Sequence, residues 1–227
     1  MTRAQLRRRV LPSPRVVILM NGPTREYIPL ASGPYSLWCQ GFMRSFVNQA
    51  DVQPTMWWDP HNLTTMQSPK RWDADYLGHL QESTVPVLLR EVHPQIPKSV
   101  AYPLAQVVAW IRSSYAVPWA GGLDYLILLA GYLGASDVTL CGCDYDSPQE
   151  RMYQTFGAAH AIGILTGRGI NVHLAPGSPL LWNIVPGDYG LQFPPWPYAD
   201  DPRHPRWQTP EALAVETLLK RATRDAY

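Results

Sequence analysis

Across 227 residues the chain sets 19 Lys and Arg against 18 Asp and Glu, a formal net charge of +1. That length suits one full-sized domain with a real core and an appended tail, and the balanced charge gives no global electrostatic case for nucleic-acid binding. No apolar run approaches the ~18–20 residues of a membrane span, and no apolar segment of signal-peptide type follows the first charges, so a cytoplasmic protein is expected.

Residues 1–15 crowd together Arg3, Arg7, Arg8, Arg9 and Arg15. They read either as a basic arm for phosphates or an acidic partner, or as a solvated, frayed terminus. Residues 16–20 (VVILM) form a short apolar run ending in Asn21-Gly22-Pro23, the pattern of a strand buried on both faces. A strand over 35–39, a helical stretch over 42–47 and a strand over 55–58 follow, the last ending in Asp59-Pro60-His61-Asn62. Next come a helix over 72–80, a strand over 85–89 and a helix over 103–111 with Pro103 at a tolerated first-turn position. After Gly121-Gly122, residues 123–133 are apolar almost all round and predict a buried helix. A strand over 137–140, a helix over 149–166 and a strand over 171–174 complete the alternation. Alternating strands and helices predict an α/β fold, a doubly wound, mostly parallel sheet over 16–186.

Beyond Pro186 the character changes. Residues 187–210 interleave Pro194, Pro195, Pro197, Pro202, Pro205 and Pro210 with Trp196, Tyr198 and Trp207, which excludes regular helix and central strand. Disordered segments are poor in aromatics, so 187–227 is expected to be an ordered arm ending in a helix over 211–222. Cys39, Cys141 and Cys143 are odd in number and lack paired spacing, so buried thiols are expected rather than a disulfide or metal site. Strand alternation would point Cys141 and Cys143 the same way.

Ligands of open α/β sheets sit beyond the carboxyl ends of the strands, near a topological switch point. That rule selects four segments. Asn21-Gly22-Pro23-Thr24 offers close backbone approach and an amide, or is an ordinary turn. Gly121-Gly122 opens a helix whose N–H groups can receive an anion, although the motif is neither GxGxxG nor a P-loop. Asp124 in that first turn suits the helix dipole, with contact to a sugar hydroxyl as the other role. Asp144, just past a strand end, is placed for ribose hydroxyls, a metal or an acceptor, or for turn chemistry. His61 beside Asp59 is either an oriented general base or a solvent-facing turn residue. His160, inside an apolar helix, is expected to be packed in the core.

Residues 16–24 (VVILMNGPT) resemble the opening of the bacterial single-domain sialyltransferases that act on lipooligosaccharide, and of related flagellin-glycosylating proteins. Residues 123–145 (LDYLILLAGYLGASDVTLCGCDY) are similar to their helix–strand unit, and 171–183 (NVHLAPGSPLLWN) to their late strand and Pro-Ser-Leu-Leu turn. Small phage and prophage proteins share the Trp-Asp-x-His segment, the stretch over 89–103 and the Arg-Gly-Ile-Asn-Val-His end. The likeness spans about residues 15–184. It implies a Rossmann-like glycosyltransferase with a nucleotide-sugar donor, in the cytoplasm of an infected bacterium. By position, Asn21 and Gly22 would meet the nucleotide, Gly121 and Gly122 its phosphate, and Asp144 the nucleotide or sugar, with Ser178 a further donor-binding candidate. Departures are clear: the family's Asn after the second strand falls near Gln40-Gly41, and its catalytic His has no counterpart in 146–150. His61, Asp59 and Asp124 then remain as candidates for the base.

Two functions compete. The first is glycosyl transfer to a hydroxyl, including a hydroxymethylated pyrimidine in phage DNA, with Arg203, His204, Arg206 and Trp207 as grips for phosphate and base. The second is a non-catalytic nucleotide-scavenging module of the same fold. Asp144-Tyr145-Asp146 imitates a metal-binding DxD only by letter, so no cofactor and no divalent metal are expected.

Overall fold

Val16 and Ile18 of β1 (Arg15–Leu19) pack into one hydrophobic cluster, while Val17 and Leu19 pack into another. A strand with both faces buried must lie inside a covered sheet, and parallel sheets are covered by their crossover helices. The computed structural model describes residues 1–28, 33–67, 75–111, 121–145 and 148–181, with 148–153 described by backbone alone. Around β1 stand β2 (Ser36–Gln40), β3 (Met56–Asp59), β4 (Val87–Leu89), β5 (Ser99–Ala101), β6 (Asp137–Cys141) and β7 (Asn171–Leu174). Their order is β5-β4-β3-β2-β1-β6-β7, and every neighbouring pair is parallel. The order reverses between β1 and β6, so that junction is the topological switch point. This is a doubly wound, Rossmann-like α/β fold.

One face is covered by α1 (Arg3–Val10), α5 (Leu104–Ile111), α6 (Gly122–Leu133) and α7 (Pro148–Thr166). The other is covered by α2 (Arg44–Gln49), α3 (Leu63–Met66) and α4 (Tyr76–Gln81). Leu123, Leu126, Ile127, Leu128, Leu129 and Leu133 of α6 are all fully buried. Each such side chain is worth about 1.5–3 kcal/mol relative to exposure, so α6 anchors its face. Gly134, in the left-handed region at φ +87°, ends α6 as glycine is suited to do.

Several expectations need correction. The basic N-terminus is neither an arm nor frayed: Thr2 and Gln5 form a reciprocal capping box that starts α1. Leu6 and Val10, four apart, bury one seam of it, and Trp38 Nε1 donates to the Val10 carbonyl at 2.6 Å. Arg3 lies over the Tyr132 ring near the C-terminal end of α6, and Arg7, Arg8 and Arg9 occupy the last turn of α1, where cations complement the helix dipole. Cys141 and Cys143 point into opposite clusters, because Gly142 at φ +68° breaks strand alternation between them. His160 is exposed; the buried stripe of α7 runs through Ala158, Ala161, Ile162 and Leu165 and passes it by. β5, with three residues and only Val100 buried, had not been expected at all. The Pro- and Trp-rich arm, the helix over 211–222 and the Arg203–Trp207 stretch lie outside the described residues. Among the described residues no helix is long and apolar enough to cross a membrane.

Candidate functional site

The carboxyl ends of the strands carry two different constructions. At the switch point, Asp144 is 1% exposed and accepts from the Thr24 N–H at 2.8 Å. The Thr24 hydroxyl donates to the same carboxylate and accepts from the Gly142 N–H at 2.9 Å. Gly22 N–H donates to the Gly142 carbonyl at 2.7 Å. A Cβ on Gly22 would lie 2.7 Å from that carbonyl and closer still to Asp144, so this glycine is required by the contact between the two loops. Asn21 is exposed at the rim, where Arg25 donates to its backbone and side-chain oxygens at 2.9 and 3.0 Å. Buried, mutually satisfied groups of this kind lock β1 to β6.

The second construction lies over β2 and β3. Gly121 is the N-cap of α6, and its N–H donates to Asp124 Oδ2 at 3.1 Å. Asp124 is fully buried, with Gly157 of α7 so close that an added Cβ would sit 2.7 Å from its Cγ. Its carboxylate is a helix cap. A Cβ on Gly122 would come 3.1 Å from Trp58 Nε1 and 3.3 Å from the Gln40 amide nitrogen. Trp58 Nε1 and Gln40 Oε1 are buried without a hydrogen-bond partner among the described residues. Such groups cost about 1–3 kcal/mol each when unsatisfied, a cost a bound polar ligand would remove. Tyr145, left-handed at φ +48°, brings its hydroxyl to within 3.0 Å of where a Gly121 Cβ would be.

Trp58 also lines a cleft of about 360 Å³, shared with His61, Asn62, Arg90, Glu91 and Tyr125. Tyr102, Tyr125 and Trp58 form an aromatic cluster with ring centroids 5.1–5.7 Å apart. At the cleft wall, His61 Nδ1 is 2.7 Å from Asp59 Oδ1, and the His61 backbone N–H donates to the same oxygen at 2.7 Å. Asp59 is 2% exposed and also accepts from the Tyr76 hydroxyl.

The predicted residues therefore separate. His61 and Asp59 meet as a bonded pair on the cleft, and Gly121 and Gly122 stand beside it across Trp58. Gly22 and Asp144 belong to the β1–β6 junction. Ser178 lies after β7, 3% exposed, its hydroxyl accepting from the Leu180 N–H at 3.4 Å within its own turn. Gln40, Tyr76 and Tyr145 were not singled out as site residues. The strand-end rule applied to β2 names Gln40, whereas nothing local to residue 76 marks it.

The three thiols are buried and free. Burial pushes Cys141 up to about 12, with the Asp144 charge adding to it, and raises Cys39 and Cys143 further. Among the described residues no group of three or more His, Cys, Asp or Glu could hold a metal ion.

No family model matches the chain, and no curated protein does. Among solved structures, an α-2,3-sialyltransferase from Campylobacter jejuni in apo form aligns at 13% identity and TM-score 0.35, covering 71% of this chain and 75% of its own. A monofunctional α-2,3-sialyltransferase from Campylobacter jejuni aligns at 12% identity and TM-score 0.37, covering 93% and 95%. Similarity at this level carries no argument about the chemistry of this chain, which rests on its own residues.

Proposed function

We propose that this chain is a glycosyltransferase that moves a sugar from a nucleotide-linked donor to a hydroxyl acceptor. The observation that carries the reading is the start of α6. Side-chain-free Gly122 adjoins the buried Trp58 Nε1 and the Gln40 amide, and neither that indole N–H nor Gln40 Oε1 has a hydrogen-bond partner among the described residues. The Gly121 N–H is held by Asp124, so the Gly122 N–H, the positive end of the helix dipole and an indole N–H are the groups that suit a donor phosphate gaining charge as the sugar leaves. Asn21, exposed at the rim of the switch point, is the proposed contact for the nucleotide. In transfer, the bond from the anomeric carbon to the phosphate oxygen breaks and a bond to the acceptor oxygen forms. The acceptor proton passes to His61, whose Nδ1 is held by Asp59.

The acceptor occupies the cleft, where Tyr102, Tyr125 and Trp58 present ring faces for a sugar or, in a phage-infected bacterium, a hydroxymethylated pyrimidine of DNA. A thermal-shift screen of nucleotides and nucleotide sugars tests the reading. A donor at a hundredfold its Kd adds about 2.7 kcal/mol of stability. Stabilisation with slow donor hydrolysis supports a transferase. Stabilisation by nucleotides with no turnover, with or without acceptors, supports instead a nucleotide-binding module, a reading consistent with Asp144 and Asp124 serving packing and capping. No stabilisation by any of them defeats both.

A further inference from the structure

Asp59 is held more firmly than a turn requires. A strand-end Asp that bonds the backbone two residues on makes an ordinary Asx turn, which needs one oxygen. Here Oδ1 serves that turn through the His61 N–H and also meets His61 Nδ1, while Oδ2 accepts from Tyr76 on α4. The hydroxyl reaches that oxygen because residue 41 has no side chain. A Cβ there would lie 2.9 Å from Tyr76 Cζ and nearer still to the hydroxyl. Tyr76 is 5% exposed and Asp59 2%, so the bond is shielded from water. The end of β2, the end of β3 and the first turn of α4 thus converge on one carboxylate.

We infer that Tyr76 is a positioning residue for His61, acting through Asp59, with Gly41 providing the room; the inference rests on the reading of His61 as the acceptor base. Tyr76 removes the rotation that would let Asp59 turn away. Asp59 then fixes the imidazole with its proton on Nδ1, so that Nε2 is the basic nitrogen. Burial, and next the Asp59 charge, raise the Tyr76 pKa far above the ordinary phenol range, so the hydroxyl remains a donor at every working pH. Arg90, Glu91 and His93 line the same cleft and supply its remaining charge.

Two substitutions test this in different ways. Tyr76→Phe deletes the hydroxyl, whereas Gly41→Ala keeps every polar group and displaces the ring. The direct readout is the hydrogen-bonded Nδ1 proton of His61 in the proton NMR spectrum, assigned by its loss in His61→Gln. In both variants the resonance is expected to move and to exchange faster with water. Donor turnover should fall about 10–100-fold in kcat with KM for the donor unchanged, the cost of a misplaced reacting group. An unmoved resonance with unchanged kcat in folded Tyr76→Phe overturns the inference; if that variant does not fold, Gly41→Ala decides by the same two readouts. Should His61→Gln retain full turnover, the assignment of the base fails, and the resonance in Tyr76→Phe still decides whether Tyr76 holds the imidazole.

Discussion

The two ends of strands that carry acidic or polar side chains in this molecule look alike in sequence and differ in their hydrogen-bond accounting. At the β1–β6 junction, Asp144, Thr24, Gly142 and Gly22 satisfy one another in a buried lattice. Over β2 and β3, Trp58 Nε1 and Gln40 Oε1 are buried beside a helix N-terminus and have no partner among the described residues. The four junction residues form a buttress, because their buried donors and acceptors bond one another, although Arg25 Nε beside them has no partner among the described residues. An unsaturated cluster stores a cost that a ligand can relieve. The comparison therefore moves the centre of the site away from the switch point and towards α6 and the cleft.

The largest effect that sharpens this contrast belongs to His61. Its side chain is 26% exposed, so His61→Ala should leave the fold stable while lowering kcat about 10²–10⁴-fold, the usual span for a lost general base. Steady-state kinetics with a stable folded variant check it, and unchanged turnover removes the cleft from the chemistry. The buttress should respond in the opposite way. Asp144→Ala leaves the Thr24 donors and the Gly142 N–H badly placed in a buried site, and should cost about 2–4 kcal/mol in denaturant unfolding with the m-value unchanged. Gly22→Val should strain the same junction, so loss of binding there would report loss of fold rather than loss of a ligand contact. If Asp144→Ala is as stable as the parent and fails to bind nucleotide, the division drawn here is wrong.

Most of the scaffold was legible because the determining contacts are local or periodic. The both-face burial of β1 follows from its unbroken apolar run, and α6 from twelve residues apolar on every side. α1 hid behind five polar positions in eight, its burial resting on the single Leu6–Val10 seam. β5 was too short to leave a pattern. The site was harder. The strand-end rule singles out His61, Asp59, Gly122 and Asp144 as candidates, but it cannot say which of them is already satisfied. The partner of Asp144 lies 120 residues away at Thr24, and Tyr76, which holds the second oxygen of Asp59, lies 17 away on α4. Saturation is a property of packing, and no spacing in the chain encodes it.

A smaller effect tests the covered face opposite α6. His79 packs edge-on to Trp57, and burial, followed by the charge of Arg44, lowers its pKa from 6.5 to about 4. The unfolded chain therefore takes up a proton before the folded one does. The contribution of His79 is complete above pH 6.5 and declines as the pH falls towards 4. His79→Phe should flatten the fall in stability over that window, measured by unfolding midpoints at a series of pH values. The smallest effect concerns the thiols: at pH 8 a disulfide reagent should react with Cys39, Cys141 and Cys143 only at the rate of unfolding, because burial keeps them protonated. Fast labelling of the native chain would show a more open core.

The central claim is that the unsaturated end over β2 and β3 receives the donor phosphate, while the buried Thr24–Gly142–Asp144 lattice beneath the Asn21 rim only buttresses the fold. A nitrogen–proton correlation spectrum recorded while a nucleotide sugar is added tests it directly, with the Trp58 indole assigned by its loss in Trp58→Phe. The account predicts large shifts at the Trp58 indole N–H and the Gly122 amide, with the Thr24 and Gly142 amides nearly still. Shifts concentrated at Thr24 and Gly142, with Trp58 and Gly122 unmoved, would contradict it.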